Sequence, residues 1–192
     1  MSLILASNSQ IRRAMLQQVG IPFEQCPPDF DEDQAKQTDL TAEQLARSLA
    51  EGKAVSIVVG LDDWVIGSDS IVSVNGAGYS KPRDRKEAAA HLRAFSGQTI
   101  LLSSAVALAR QGKIDWSYSE MAHLQVRSLS EAFIEHYLDL EWPEVGHCVG
   151  VFRMEGRGVT LFDQVEGSHF TILGMPLIPL LSALRERGLI LS

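Results

Sequence analysis

Apolar and polar residues follow one another along the chain in blocks that predict strands and helices in turn. The run "SLILA" at residues 2–6 is continuously apolar, as in a buried strand, and "AMLQQVG" continues as a short helix that ends at Gly20. Thr41 and Gln44 have the spacing of a capping box and predict the start of an amphipathic helix. This helix is predicted to run through Leu45, Ala46, Leu49, Lys53, Ala54 and Ile57.

The middle of the chain predicts a hairpin, a helix and two long strands. "WVIGSDSIVSV" has the β-branched content of a strand, interrupted by Gly67, and "NGAG" is a turn leading to a short second strand at Tyr79. Asp84 and Glu87 cap the helix that follows. The long strands are "TILLSSAVALA" and "IDWSYSEMAHLQV".

The last third of the chain predicts two helices with a strand between them. One helix starts at Ser130, "VTLFDQV" is the strand candidate, and "PLIPLLSALRERG" is a closing helix. We find no internal repeat and no linker rich in Pro, Gly or Ser. The pattern therefore predicts a single α/β domain over residues 1–192.

Composition and charge narrow the classes of partner. Seventeen basic and twenty-four acidic side chains give a net charge of -7, which disfavours general affinity for nucleic acid or an anionic membrane. Two cysteines are too few for a disulfide framework, and the apolar run after Met1 stops at Ala6, short of a signal peptide or a membrane span. We expect a cytoplasmic protein that holds any anionic ligand in a local site.

The first predicted helix carries an unusual charge at its start. Arg12 and Arg13 fall where the positive end of the helix dipole favours acidic residues. Free backbone N–H groups at a helix start bind anions, and Ser7 and Ser9 add hydroxyls around the same point. A phosphate site would explain the arrangement. The alternative is that Ser9 is only an N-cap and both arginines lie in solvent.

A carboxylate, Asp69, ends the apolar part of the strand "VIGSD", where open α/β sheets place their ligands. Mg²⁺ would compensate its charge, because this ion takes few carboxylates and leaves room for substrate phosphate. Alternatively, Asp69 caps a turn through Ser70 and the acidic loop is merely solvated. That loop, a candidate source of a second ligand, contains Asp29, Asp31, Glu32 and Asp33.

Two lysines stand where they would reach a ligand. Lys53 lies at the edge of the apolar stripe of its helix, and Lys81 follows the predicted turn just before a proline. A lysine of this kind also occurs with its head in water, so neither is specific alone. The histidines show no metal-ligand spacing, there is no Walker-type loop, and neither cysteine adjoins an obvious general base.

Taken in order, these fragments resemble the Maf family of nucleoside triphosphate pyrophosphatases. The family pattern L-A-S-x-S-P-x-R resembles "LASNSQIR", with Gln10 in place of the proline, and L-A-x-x-K-A resembles "LAEGKA". The family's D-E pair resembles Asp31-Glu32, and its K-P resembles Lys81-Pro82. Further matches are "GSDS", "LRAFSG", "GVFRMEG" and "GMPL", so the resemblance runs over nearly the whole chain.

The resemblance implies a fold and a reaction. The fold would be an elongated, twisted mixed β-sheet flanked by helices, with two lobes around a nucleotide-binding cleft, and often a homodimer. The reaction would be hydrolysis of a nucleoside triphosphate to the monophosphate and pyrophosphate with a divalent cation, Mg²⁺ or Mn²⁺. By position, Asp69 would be the proton acceptor and a metal neighbour. The phosphate or metal contacts would be Ser7, Arg12, Glu32, Lys53 and Lys81.

Three family positions that tune base choice fall on Ile11, Ser70 and Glu155. Members that act on dTTP and UTP have Arg, Thr and Gln there, so this chain departs at all three. The 7-methyl-GTP subfamily has Glu at the third position but Trp and Gln at the other two. We expect 7-methyl-GTP as the substrate, and the alternative substrates are dTTP, UTP and CTP. The alternative function is that of a nucleotide-binding regulator of septum formation.

Overall fold

The computed structural model describes residues 1–32 and 40–191, which form a mixed α/β fold. The strands are Leu3–Ala6 (β1), Glu24–Cys26 (β2), Trp64–Val74 (β3), Ala77–Tyr79 (β4), Thr99–Arg110 (β5), Lys113–Val126 (β6) and Phe162–Glu166 (β7). The helices are Gln10–Gln18 (α1), Ala42–Val55 (α2), Arg85–Phe95 (α3), Glu131–Glu141 (α4), His169–Ile172 (α5) and Leu177–Glu186 (α6), with short 3-10 turns at Glu144–His147 and Arg157–Leu161.

The strands form one seven-stranded mixed sheet, which confirms the expected sheet flanked by helices. Its order is β2-β1-β3-β5-β6-β7, and β4 pairs with β3 outside this path. β1 runs parallel to both β2 and β3, whereas the β3–β4 and β6–β7 pairs are antiparallel. Asn75 and Gly76 both have positive φ, as a tight two-residue hairpin turn requires, so the "NGAG" prediction is confirmed.

The chain divides into two compact units, and three long strands contribute residues to both. Unit 1 comprises residues 1–70, 103–120 and 168–192. Its apolar core joins β1, α1 and β3 with the C-terminal helix through side chains such as Leu5, Leu16, Ile66 and Leu180. Most of these side chains are completely buried, so the parallel strands of the sheet pack against a rigid core in unit 1.

Unit 2 comprises residues 71–102 and 121–167, with α3 and α4 as its helices. These two helices pack together, and their exposed faces are linked by ion pairs such as Arg85 to Glu135 and Arg93 to Glu131. Phe95, a completely buried aromatic residue, ends α3. The prediction of a single domain over the whole chain stays a prediction.

Several element boundaries differ from those the pattern predicts. α2 ends at Val55, so Ile57 lies beyond it, and β7 begins at Phe162 because Val159 and its neighbours form a 3-10 turn. The pattern missed β2 and α5, since elements of three and four residues carry no periodicity of their own. Asp33 of the acidic loop lies outside the described residues. In residues 1–32 and 40–191, no helix is long and apolar enough to cross a membrane.

Candidate active site

A glycine lets α2 approach the sheet closely beside the polar end of β3. A Cβ atom added to Gly67 would lie 2.0 Å from the carbonyl oxygen of Ala50 and 2.5 Å from the backbone nitrogen of Ala54. Helix backbone therefore fills the space that a side chain would need. This packing explains the glycine that interrupts the strand pattern, and it places Lys53, between those two alanines, against β3.

Lys53 joins the two carboxylates that the sequence singled out. Its Nζ lies 3.1 Å from Asp69 Oδ2 and 2.8 Å from Glu32 Oε1. The side chains of Lys53 and Asp69 are only 7% and 13% exposed, whereas Glu32 is 40% exposed. An ammonium group buried to this extent needs anionic neighbours, so Lys53 belongs to the site rather than to the solvated surface.

Arg12 is the second buried cation of the site. Its Nε donates to the Gly174 carbonyl at 2.9 Å, its Nη2 donates to Ser70 Oγ at 3.2 Å, and Nη2 lies 3.9 Å from Asp69 Oδ1. Burial lowers the pKa of the Arg12 guanidinium from its ordinary value, and the charges of Asp69 and Glu32 act in the opposite direction. Two fixed cations therefore face one carboxylate in unit 1.

The start of α1 combines the two alternatives that the sequence left open. Ser9 is the N-cap: its Oγ accepts a hydrogen bond from the Arg12 backbone nitrogen at 3.4 Å, and its own nitrogen donates to Ser7 Oγ at 3.1 Å. Arg12 turns inward onto the site, while Arg13 is exposed. The structure thus gathers Ser7, Ser9 and Arg12 at one helix start.

Two further predicted residues, Arg13 and Ile11, lie on α1. Arg13 lines a separate surface cavity of about 450 Å³ together with Gln17 and Phe23. Ile11 is half-buried on α1. The structure therefore does not bring Arg13 to the carboxylates, and its predicted contact with phosphate stays a prediction.

The donor set at Asp69 fits a small hard cation. Asp69 Oδ2 is buried and makes no hydrogen bond of acceptable geometry with any described residue, although Lys53 Nζ is near. No group of three or more His, Cys, Asp or Glu side chains within the described ranges is arranged to hold a metal. Mg²⁺ is commonly held by one or two carboxylates with substrate phosphate, so Asp69 and Glu32 meet its requirements.

A chain of buried polar groups supports Arg12, and the sequence analysis missed it. Ser70 Oγ lies 2.9 Å from Ser104 Oγ, Ser104 Oγ donates to the Thr171 carbonyl at 2.8 Å, and the Thr171 hydroxyl donates to Glu120. Ser104 and Thr171 are completely buried. The signal was present in the pair of serines inside the apolar strand "LLSSAVALA", where two hydroxyls must find partners.

In unit 2, Lys81 and Glu155 are both exposed and both act on the Cys148 thiol. Burial first, and then the charge of Glu155, raise the pKa of Cys148 to about 11, while Arg153 and Lys81 oppose the shift. The predicted contacts of Lys81 and Glu155 with a ligand stay predictions. A raised pKa disfavours the nucleophilic thiolate form of Cys148.

Known proteins resemble the chain over almost its whole length. The family model described as "Maf-like protein" matches residues 2–187. A protein of Rhizobium meliloti (strain 1021) named "7-methyl-GTP pyrophosphatase" is 42% identical over 98% of this chain and 97% of its own. A protein of Rhodopseudomonas palustris (strain BisB18) named "Nucleoside triphosphate pyrophosphatase" is also 42% identical, over 98% of this chain and 95% of its own.

A solved structure supports the fold independently of the sequence. The Staphylococcus aureus Ham1 protein superposes with a TM-score of 0.54 and covers 98% of this chain and 100% of its own. Its sequence is only 17% identical, so the likeness concerns the fold alone. The expected ITPase-like α/β architecture is therefore consistent with both comparisons.

Proposed function

The chain belongs to the Maf family, and from this premise we propose that it is a hydrolase that cleaves a nucleoside triphosphate into the monophosphate and pyrophosphate. The observation that carries the proposal is the buried group of Asp69, Lys53 and Arg12 at the polar end of β3. One carboxylate held between two cations provides a proton acceptor next to groups that bind phosphate oxygens.

Each member of this group has a role in the reaction. Asp69 accepts the proton of the attacking water, which approaches the α-phosphorus in line with the departing pyrophosphate. Lys53 and Arg12 stabilise the charge that develops on the phosphate oxygens, and their burial strengthens this effect because little water screens them. Ser7, Ser9 and the N–H groups at the start of α1 add donors for the same oxygens. The predicted phosphate contact of Lys81 stays a prediction.

The divalent cation, Mg²⁺ or Mn²⁺, would be held by Asp69 and Glu32. When bound, such an ion polarises phosphate oxygens and lowers the pKa of a bound water. Lys53 contacts both carboxylates, so this chain's own residues already hold the two ligands together through one shared cation. Water is the nucleophile in this proposal, and the reaction needs no covalent intermediate.

We propose 7-methyl-GTP as the preferred substrate, with Glu155 reading the base. A carboxylate accepts two hydrogen bonds, and guanine offers the adjacent donors N1–H and N2–H; a glutamine amide better suits the mixed edge of uracil or thymine. Methylation at N7 adds positive charge, which a nearby carboxylate favours further. Support comes from the exposed position of Glu155 and from the name of the Rhizobium meliloti relative.

The other two specificity positions have separate roles in this proposal. Ile11, half-buried on α1, would pack against the base but lacks the aromatic face that attracts a cationic ring. The Ser70 hydroxyl is already engaged by Arg12, Ser104 and the Gly174 carbonyl. We therefore propose that Ser70 influences selectivity indirectly, because its hydroxyl helps to position the Arg12 side chain.

The test is pyrophosphate release by the purified protein across canonical and methylated nucleoside triphosphates, repeated with Glu155→Gln. We expect kcat/KM for 7-methyl-GTP to fall by about ten- to a hundredfold, as for the loss of a charged hydrogen-bond partner. The value for UTP should fall much less. The matched control is Glu144→Gln, which removes another exposed carboxylate whose charge acts on Cys148.

The outcomes separate the alternatives. Preference of the parent protein for dTTP, UTP or CTP would show that it is a pyrophosphatase for pyrimidine nucleotides. Tight binding of nucleotide without turnover would favour a regulator, including one that acts in septum formation. Equal losses for all nucleotides in Glu155→Gln would contradict base reading by this residue.

A further inference from the structure

Glu141 is a buried carboxylate in an unfavourable position. It is the last residue of α4, where the negative end of the helix dipole disfavours an anion, and its side chain is only 1% exposed. Neither condition is tolerated without strong compensation, because a buried charge must be paired and hydrogen-bonded. No local sequence pattern marks this residue as functional.

Two arginines from one short segment supply the compensation. Arg153 donates to Glu141 Oε2 through Nη2 at 2.9 Å and Nε at 3.3 Å, and Arg157 donates to Oε1 through Nη1 at 3.2 Å. Both carboxylate oxygens are therefore hydrogen-bonded. The Glu141 carboxylate therefore holds both ends of the segment at residues 153–157, through Arg153 and Arg157.

The segment is wound tightly around this carboxylate. The Arg153 carbonyl accepts hydrogen bonds from the Gly156 and Gly158 nitrogens, each at 3.1 Å. A Cβ added to Gly158 would lie 2.5 Å from the Arg153 carbonyl oxygen, so only glycine fits there. One turn earlier on α4, the Tyr137 hydroxyl donates to the carbonyl of Val151, two residues before the segment.

Glu155 lies between the two arginines in sequence and would compete for them. The pKa of Arg153 is raised chiefly by its hydrogen bond to Glu141, with a smaller contribution from the charge of Glu155. Arg157 is 60% exposed and long enough to turn toward another carboxylate. Yet both guanidinium groups bind Glu141, and Glu155 forms no ion pair with any residue in the described part of the chain.

We propose that Glu141 is a positioning residue for base recognition: it binds Arg153 and Arg157 and thereby leaves the Glu155 carboxylate available to the ligand. This inference rests on the proposed function, because it concerns how the base is read. Removal of the Glu141 charge releases two arginines, which then pair with Glu155 and loosen the turn that presents it. Selectivity for 7-methyl-GTP falls as a result.

The test places Glu141→Gln in two backgrounds, the parent protein and Glu155→Gln. We expect the ratio of kcat/KM for 7-methyl-GTP over UTP to fall about fivefold or more in the parent and by less than about twofold in Glu155→Gln, since coupled residues do not act additively. Glu135→Gln, on the same helix but in an exposed pair with Arg85, is the control and leaves the ratio unchanged.

Amide hydrogen exchange provides the readout that does not depend on activity. In Glu141→Gln the Gly156 and Gly158 amides should exchange about tenfold faster, while the core of α4 stays protected and shows that the variant is folded. Unchanged exchange at both glycines would contradict the proposal that Glu141 holds residues 153–157 in place. An equal fall of the ratio in both backgrounds would overturn the action through Glu155 and leave a purely structural role.

A failure of the proposed function gives a different result. If Glu155→Gln alone leaves the nucleotide ratio unchanged, base reading by Glu155 is wrong, and this role of Glu141 is overturned with it. Pyrophosphate release from both nucleotides would then be retained. If the parent protein releases no pyrophosphate from any nucleotide, the proposed reaction itself fails, and the exchange data still decide whether Glu141 holds the segment.

Discussion

Asp69 in unit 1, whose side chain is 13% exposed, and Glu141 in unit 2, whose side chain is 1% exposed, are both carboxylates with two cationic neighbours, but their hydrogen bonding differs. Both oxygens of Glu141 accept hydrogen bonds from arginines at 2.9–3.3 Å. In Asp69, Oδ1 accepts a hydrogen bond from the Ser70 backbone nitrogen at 2.8 Å and lies 3.9 Å from Arg12. Among the described residues, Oδ2 has an ion pair with Lys53 at 3.1 Å but no hydrogen bond.

The difference indicates what each carboxylate is for. A fully hydrogen-bonded ion pair holds its neighbours in place, and breaking it is costly. A buried carboxylate oxygen with an unfilled acceptor site retains the capacity to take a proton or a cation. We infer that Glu141 fixes structure, whereas Asp69 remains available for chemistry.

The largest expected effect is on turnover at Asp69. Asp69→Asn keeps the volume of the side chain but removes the proton acceptor, so kcat should fall by about a thousandfold with the fold intact. Circular dichroism provides the control for folding and steady-state pyrophosphate release provides the rate. A normal rate in the purified variant would show that Asp69 is not the catalytic carboxylate.

The second effect is on stability, which should fall more in Glu141→Gln than in Asp69→Asn. Glu141→Gln should lower the free energy of unfolding by about 3 kcal/mol, the lower end of the range for breaking a buried ion pair, because Arg157 is partly solvated. Asp69→Asn should lower it by less, because Lys53 keeps the Glu32 carboxylate as an anionic partner at 2.8 Å. Urea unfolding of both variants measures the difference, and equal losses would contradict the distinction drawn here.

A third effect concerns the packing that brings Lys53 to Asp69. Gly67→Ala should lower stability by about 2 kcal/mol and kcat by about tenfold, since the new Cβ displaces α2 and the lysine with it. Gly78→Ala is the matched control, because nothing lies within 4 Å of a Cβ added there. Loss of stability without loss of kcat would show that the position of Lys53 is not critical.

The smallest effect is a pH dependence at Cys148, measured in a Cys26→Ala background. Because burial and Glu155 raise the pKa of this thiol from 9.0 to about 11, its alkylation by iodoacetamide should keep accelerating up to about pH 11. Between these values the unfolded chain loses the proton and the folded chain retains it, so stability contributed by the group falls as pH rises.

The same thiol also reports on Glu155. In Glu155→Gln the pKa of Cys148 should decrease, since the charge of Glu155 raises it in the parent protein. An unchanged alkylation profile would place Glu155 away from Cys148. Cys148→Ala should show no thiol-dependent loss of stability over this pH range.

Local features of the fold could be predicted from the sequence because neighbouring residues determine them. The capping box of Thr41 and Gln44 is formed as its spacing predicts, and so is the turn at Asn75. Membership in the Maf family was likewise predictable from motifs in order. Short elements such as β2 were not, because β2 exists only through its pairing with β1.

The site was predictable in its residue types but only partly in its contacts. The sequence named Arg12 and Arg13 together, although the spacing of Arg12 from Met15 and Leu16 already placed it on the buried face of α1. The polar chain from Ser104 to Thr171 spans 67 residues of sequence, and no local pattern encodes it. Glu141 was missed for the same reason, since both arginines that justify its burial come from another segment.

The central claim is that this chain hydrolyses a nucleoside triphosphate by attack of water on the α-phosphorus. Hydrolysis of 7-methyl-GTP in water enriched in oxygen-18, followed by phosphorus NMR, tests it most directly. The account predicts monophosphate and pyrophosphate as products, with the heavy oxygen in the monophosphate. Heavy oxygen in the pyrophosphate would place the attack on the β-phosphorus, and nucleoside diphosphate with orthophosphate would place it on the γ-phosphorus; either result contradicts the account.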